Sequence, residues 1–347
     1  MLHSIQALRA IAAAGVTYYH CVIWLHQGFE VSFPAMTYSA GLGAAGVHIF
    51  FVVSGFIMMW TNQDCAGDWT SFLRKRFSRI YPSYWLVAFA SIPLALLINR
   101  PLPTQPELWL GTILLLPKGA SALIDVGWTL AYEVYFYSVF ALLIALRIPL
   151  FQRVIFLGLL FTLSIALGLF WQPAESSAFG LPSLMTNGLL LEFSAGAFLG
   201  WAATRPLPFR VWHGAVLVVA ALLGFGFSLA IGYDRHSAVL LWGAPSVFLV
   251  AGAVILERNR QARALFQALS PLGDSSYALY LIHAVLIPVI VFFIPPFADL
   301  SFPAFLALVG LLLVFNLILS HMYYLAIETR LIRASNSWLS RGATARP

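Results

Sequence analysis

"GAAGVHIFFVVSGFIMMWTN", residues 43–62, carries a single ionisable side chain, His48, in its whole length. A helix needs about 20 mostly apolar residues to cross the hydrocarbon core of a bilayer, and this run has both the length and the composition. It decides the fold class because it is not alone. Runs of the same kind occur at 4–25, 82–98, 127–147, 151–171, 183–203, 210–231, 236–256, 275–295 and 302–327, so ten spans are expected. The whole chain agrees: 61% of its 347 residues are hydrophobic and 9% are charged, against roughly 25% charged in soluble domains. The expected architecture is an all-α integral membrane protein with one domain over 1–330 and a short cytoplasmic tail, 331–347.

The basic residues orient this array. With both termini in the cytoplasm, fifteen of the nineteen Lys and Arg fall in inner segments, among them Arg74, Lys75, Arg76, Arg79, Arg258 and Arg330. Only Arg100, Lys118 and Arg235 fall outside, and Arg9 lies within the first span. An excess of Lys and Arg in cytoplasmic loops is the normal signature of membrane topology. The net charge of +6 is therefore a topology signal and calls for no nucleic-acid partner. No Lys or Arg precedes the first apolar run, which is expected to remain as an anchor rather than be removed as a signal segment. Cys21 and Cys65 fall on opposite sides of the membrane in this scheme, which argues against a disulfide.

Two inner segments read as surface helices: 69–82, with Arg76 and Arg79 on one face and Pro82 in the first turn of the next helix, and 259–269. Headgroup anchoring is a sufficient account of both. The run 107–117 is too short to span and reads as re-entrant or interfacial.

Ionisable residues at membrane depth are rare and usually face the bundle interior. At about 1.5 Å per residue, sequence position converts to depth. On that scale His20, His48 and Glu133, from three different helices, share one depth in the outer half. A second set, Glu192, His283, His321 and Glu328, lies deeper or toward the inner surface, near Arg9, Arg76 and Arg79. Each has a structural alternative: a histidine can bond a helix carbonyl, and an arginine near an interface can extend its head group to water. Glu133 is harder to explain that way, because a carboxylate in lipid needs a partner or a proton. No His, Cys or acidic set has the spacing of a metal site.

Five stretches, "LRAIAAAGVTYYH" (8–20), "GVHIFFVVSGFIM" (46–58), "FLRKRFSRIYPSYW" (72–85), "GWTLAYEVYFY" (127–137) and "GDSSYALYLIHAVL" (273–286), occur in this order. Taken together they resemble the acyltransferase-3 family of bacterial membrane proteins, particularly its exopolysaccharide-production subgroup. The resemblance implies an O-acyltransferase of the bacterial inner membrane that uses acetyl-CoA and acts on a saccharide or other hydroxyl acceptor. It implies catalytic roles for His20 and Glu133 and donor-binding roles for Arg9, Arg76 and Arg79. His48, Ser54, Tyr277 and His283 are further candidates. Many relatives carry Asp where this chain has His48, which puts an Asp-type role there in doubt.

The chemistry fits these residue types. Arg offers several fixed N–H donors to phosphates such as those of coenzyme A. A neutral His can take the proton of a sugar hydroxyl near pH 7, and Glu133 could orient that imidazole. A covalent acyl-His route is equally compatible with the residues. A transporter or flippase of lipid-linked saccharides is the rival reading, since it too would have about ten helices and buried charges.

Overall fold

The computed structural model describes residues 2–63, 67–170, 180–206, 208–232, 237–295 and 300–344. Cys65 and Arg235 lie outside them. The elements are α1 (His3–Phe29), α2 (Pro34–Thr61), α3 (Trp69–Leu97), α4 (Pro106–Leu114), α5 (Gly127–Ala145), α6 (Leu150–Phe170), α7 (Leu181–Met185), α8 (Leu189–Ala203), α9 (Val211–Ile231), α10 (Ala244–Leu256), α11 (Arg260–Asp274), α12 (Ser276–Phe293), α13 (Phe302–Tyr323) and α14 (Thr329–Thr344). A π-helical turn, Val239–Gly243, leads into α10, and another, Tyr324–Glu328, joins α13 to α14. Among the described residues nine helices are long and apolar enough to span a bilayer, and the shorter α8 is the tenth apolar segment. The protein is an all-α, multi-pass membrane protein.

Three expectations change. Residues 69–82 do not form a separate surface helix: they are the first half of α3, which runs unbroken through Pro82 and Pro93. A proline inside a helix removes one backbone bond, but packed neighbours make such interruptions tolerable in membrane bundles. The Asp68 side chain caps α3 by accepting from Ser71 N–H at 3.0 Å, which holds its carboxyl below the usual Asp range. The span expected at 183–203 is broken between α7 and α8, where the Asn187 side chain accepts from Leu189 N–H at 2.9 Å and starts the new helix. Most of the segment expected as a short tail, 331–347, lies in the helix α14, whose Ser335 hydroxyl lies 3.0 Å from that of Ser78 on α3. The first two spans are also longer than expected, because their apolar cores continue into helical flanks.

α2 is the central helix, packed on α1 along one side and on α8 along another. Small residues make both contacts close. A Cβ at Gly43 would collide with the Gly15 backbone of α1, and one at Gly55 would collide with the Phe193 backbone of α8. Van der Waals approach of this kind holds membrane helices together where lipid offers no hydrophobic driving force. Between α2, α5 and α8 sits an aromatic core in which the Phe193 ring lies 4.6 Å from Phe51 and 4.6 Å from Phe136. At the start of α1 the Glu257 carboxylate accepts from His3 N–H (2.9 Å), Ser4 N–H (3.1 Å) and the Ser4 hydroxyl (2.6 Å). An acid there satisfies free amide donors and complements the helix dipole. The Cys21 thiol is buried and free.

Candidate active site

A cavity of about 440 Å³ opens among α1, α2, α3, α5, α12 and α14. One end is basic: Arg9, Lys75, Arg76 and Arg79 line it, with Asp274 and Gln6. Glu133, Ser54 and Tyr137 stand on its wall, and Val47, Phe50, Thr129 and Tyr280 line the other end. From Tyr137 to Thr129 is eight residues of α5, about 12 Å of helix rise.

The three arginines at the first end are held differently. Arg79 pairs with the fully buried carboxylate of Glu328 at 2.7 Å and lies over the Tyr277 ring, 5.5 Å from its centroid. Tyr277, on the lining, donates its hydroxyl to the Ile80 carbonyl at 2.8 Å. Arg76 lies over Phe72 and Tyr137, each 5.7 Å from the ring centroid, and its buried Nε has no hydrogen-bond acceptor among the described residues. Arg9 donates to Gln6 Oε1 at 3.0 Å, and Gln6 in turn donates to Asp274. Four cations thus converge against two carboxylates on the lining, Glu133 and Asp274.

Glu133 is partly buried and accepts from the Tyr137 hydroxyl, one helical turn away, and from the Ser54 hydroxyl at 3.1 Å. The three expected partners at one depth, His20, His48 and Glu133, do not meet. His48 turns to α8 and bonds Glu192 through Nδ1 at 2.6 Å. Six residues further along α2, Ser54 points to α5 instead. Depth follows from residue number, but each step also rotates a side chain by about 100°, and the rotation selects the neighbour.

His20 meets His283 rather than Glu133. Its Nδ1 is 3.2 Å from His283 Nε2 and 2.9 Å from the Val16 carbonyl. No hydrogen bond joins His20 to Glu133 among the described residues, so the expected orientation of the imidazole by that carboxylate is not made. The histidine pair adjoins the far end of the cavity: the Tyr280 ring, on the lining, stands 5.9 Å from the His283 ring. Tyr280 is itself fixed by Thr129, hydroxyl to hydroxyl, at 2.6 Å. His321, expected in the deeper set, bonds Ser275 at 3.2 Å away from the lining.

Sequence reasoning missed Lys75 as a cavity residue, the place of Ile332 of α14 on the lining, and the Tyr137 contact to Glu133. The last had a signal, the i, i+4 spacing within "EVYFY". The first two had none, because they depend on how α3 and α14 pack.

A cavity within an apolar bundle, lined by four basic side chains toward one end and adjoining paired histidines at the other, has the features of a site for a molecule that is charged at one end. The particular class follows from the comparisons: the family described as Acyltransferase domain matches residues 2–324, and the chain belongs to it. It is a membrane acyltransferase. Among curated relatives, the exopolysaccharide production protein ExoZ of Rhizobium meliloti is 33% identical over 72% of this chain and 78% of its own. The acyltransferase MdmB of Streptomyces mycarofaciens is 28% identical over 82% and 79%, and the putative membrane-bound transacylase BcsY of Komagataeibacter xylinus is 25% identical over 80% and 71%. No solved structure matches the chain. Family membership displaces the transporter reading.

Proposed function

We propose that the protein moves an acyl group, acetyl in the first instance, from a coenzyme A thioester to a hydroxyl of an exported or cell-surface glycan. It would do so from the bacterial inner membrane with both termini cytoplasmic. The observation that carries this reading is the basic end of the cavity, above all the Arg76 guanidinium, buried over two rings with Nε lacking an acceptor. Phosphates supply such an acceptor, and Arg binds them through charge-assisted hydrogen bonds. The basic excess on one side of the chain supports donor entry from the cytoplasm. The uncharged arm of the donor would then lie along Glu133 and Tyr137 toward Tyr280, with the thioester near the histidine pair. A glycan acceptor is supported by the name of the Rhizobium relative.

In this scheme His20 is the base. Its Nε2 takes the proton of the acceptor hydroxyl while the hydroxyl oxygen bonds to the thioester carbonyl carbon. The carbon–sulfur bond then breaks, and the proton passes from Nε2 to the departing sulfur, leaving an ester and free coenzyme A. Glu133 acts within the cavity, as counter-charge to the arginines and acceptor for Ser54 and Tyr137, not as a partner of the imidazole.

The test is mass spectrometry of surface glycans from cells with the chain, without it, and with His20→Ala. One acyl mass should be present only with the intact chain, since loss of a positioned base costs roughly 10²–10⁴-fold. Identical glycans in all three would refute the proposed acceptor class; full acylation with His20→Ala would refute the base.

A further inference from the structure

We propose that His283 is a positioning residue that sets the protonation pattern of His20 and supports its charged form. The inference rests on the reading of His20 as the base and goes beyond it by naming what replaces the acid of a His–acid pair.

The argument needs only donors and acceptors. A carbonyl oxygen accepts and never donates. His283 Nδ1 lies 2.7 Å from the Leu279 carbonyl, so Nδ1 carries a proton. In the neutral ring, Nε2 of His283 then holds a lone pair. His20 Nδ1 lies 2.9 Å from the Val16 carbonyl, so it carries a proton too. The lone pair on His283 Nε2, 3.2 Å away, is the second acceptor for that same N–H. A proton on His283 Nε2 would set two N–H groups against each other within a fully buried side chain. The two backbone carbonyls therefore fix one pattern: both rings carry hydrogen on Nδ1. His20 Nε2 is left as the lone pair, with no hydrogen bond from it to another group among the described residues, on a side chain that is only partly buried. That is the nitrogen a base must offer.

Two acceptors on one N–H also answer the charge problem. When His20 takes a proton at Nε2, the positive ring donates more strongly through Nδ1 to Val16 O and His283 Nε2. A neutral imidazole supports the cation less than a carboxylate would, but it avoids burying a second charge in an apolar bundle.

The test compares His283→Leu with His283→Gln in the full chain. Gln can place an amide oxygen near the position of Nε2, whereas Leu fills the apolar site without an acceptor. Donor turnover is read with radiolabelled acetyl-CoA on membranes of producing cells, which supply the native acceptor. His283→Leu should lower kcat about 10–100-fold, the range for a hydrogen bond to a charged group, with the KM for acetyl-CoA unchanged. His283→Gln should recover most of that loss. A packing role predicts the reverse order, because Leu suits a buried apolar site better than Gln, and that order would overturn the inference. Failure of His20→Ala to reduce turnover in the same membranes would instead remove the base reading. Nitrogen-15 NMR of histidine-labelled wild-type protein in lipid nanodiscs needs neither folded variants nor an acceptor. It should show both His20 and His283 protonated on Nδ1, and an Nε2–H form of either ring would refute the proposal.

Discussion

Glu133 and Glu192 are both acids within apolar helices, and their surroundings could hardly differ more. Glu192 is 2% exposed, in the first turn of α8, bonded to His48 and pressed against the backbone of Gly243. Glu133 is partly buried, bonded to two hydroxyls and open to a cavity whose other charges are mostly positive. The first is not on the cavity lining. The second can exchange partners when a ligand arrives. Of the two acids, Glu133 lines the cavity and Glu192 joins α8 to α2 through His48.

That contrast predicts separable phenotypes. The largest effect on stability belongs to Glu192→Ala, which strands His48 at the α2–α8 contact and should cost about 3–5 kcal/mol, as removal of one member of a buried pair does. Thermal unfolding of the detergent-solubilised protein would measure it, with Glu133→Ala as the comparison at less than half that loss. A Glu133 variant as unstable as the Glu192 variant would erase the distinction.

Next is turnover. Glu133→Gln keeps the shape and removes the charge, and should reduce acyl transfer about 10–100-fold, the worth of one or two charge-assisted hydrogen bonds. Because Glu133 and His20 share no bond, the losses in Glu133→Gln and His20→Ala should multiply rather than merge. Single-turnover measurements on the two variants and the double variant decide this, and a strongly non-additive result would require the two groups to act as one unit.

Effects on donor binding discriminate between the arginines, the larger of them similar in size to the loss of turnover. Arg76→Ala should weaken coenzyme A binding by about 1.5–3 kcal/mol, because it removes a donor that lacks a protein acceptor. Arg79→Ala should weaken it less, by about 1 kcal/mol, since Arg79 is already paired with Glu328. Calorimetric titration with coenzyme A measures both; equal affinities for wild type and the Arg76 variant would reduce that residue to an anchor. The smallest change is expected for Ser54→Ala, about 1 kcal/mol or less, as Tyr137 still donates to Glu133.

Much of this was legible in the residues and some was not. The ten apolar segments, the all-α class and the family were readable, because hydrocarbon thickness sets the length of a span and forces its backbone bonds inside the segment. The break before α8 was not, although Asn187 and Gly188 at its start are ordinary helix-initiating residues. A continuous apolar run hides such a break, since both halves are equally lipid-soluble. Likewise the amphipathic pattern of 69–82 was real, but whether it lies on the surface or continues into the next span depends on what packs beside Pro82.

The sequence by itself determined which segments are apolar enough to span a bilayer, where the basic residues fall between them, and how far along its helix each ionisable residue lies. Only the tertiary structure decided which of those residues face one another. His20 lies with His283, His48 with Glu192, and Glu133 with Ser54 and Tyr137. The physical reason is geometric. Depth in a membrane helix accumulates along the chain and can be counted, whereas the direction a side chain faces becomes a contact only after the crossing of neighbouring helices is set by close approach at positions such as Gly43 and Gly55.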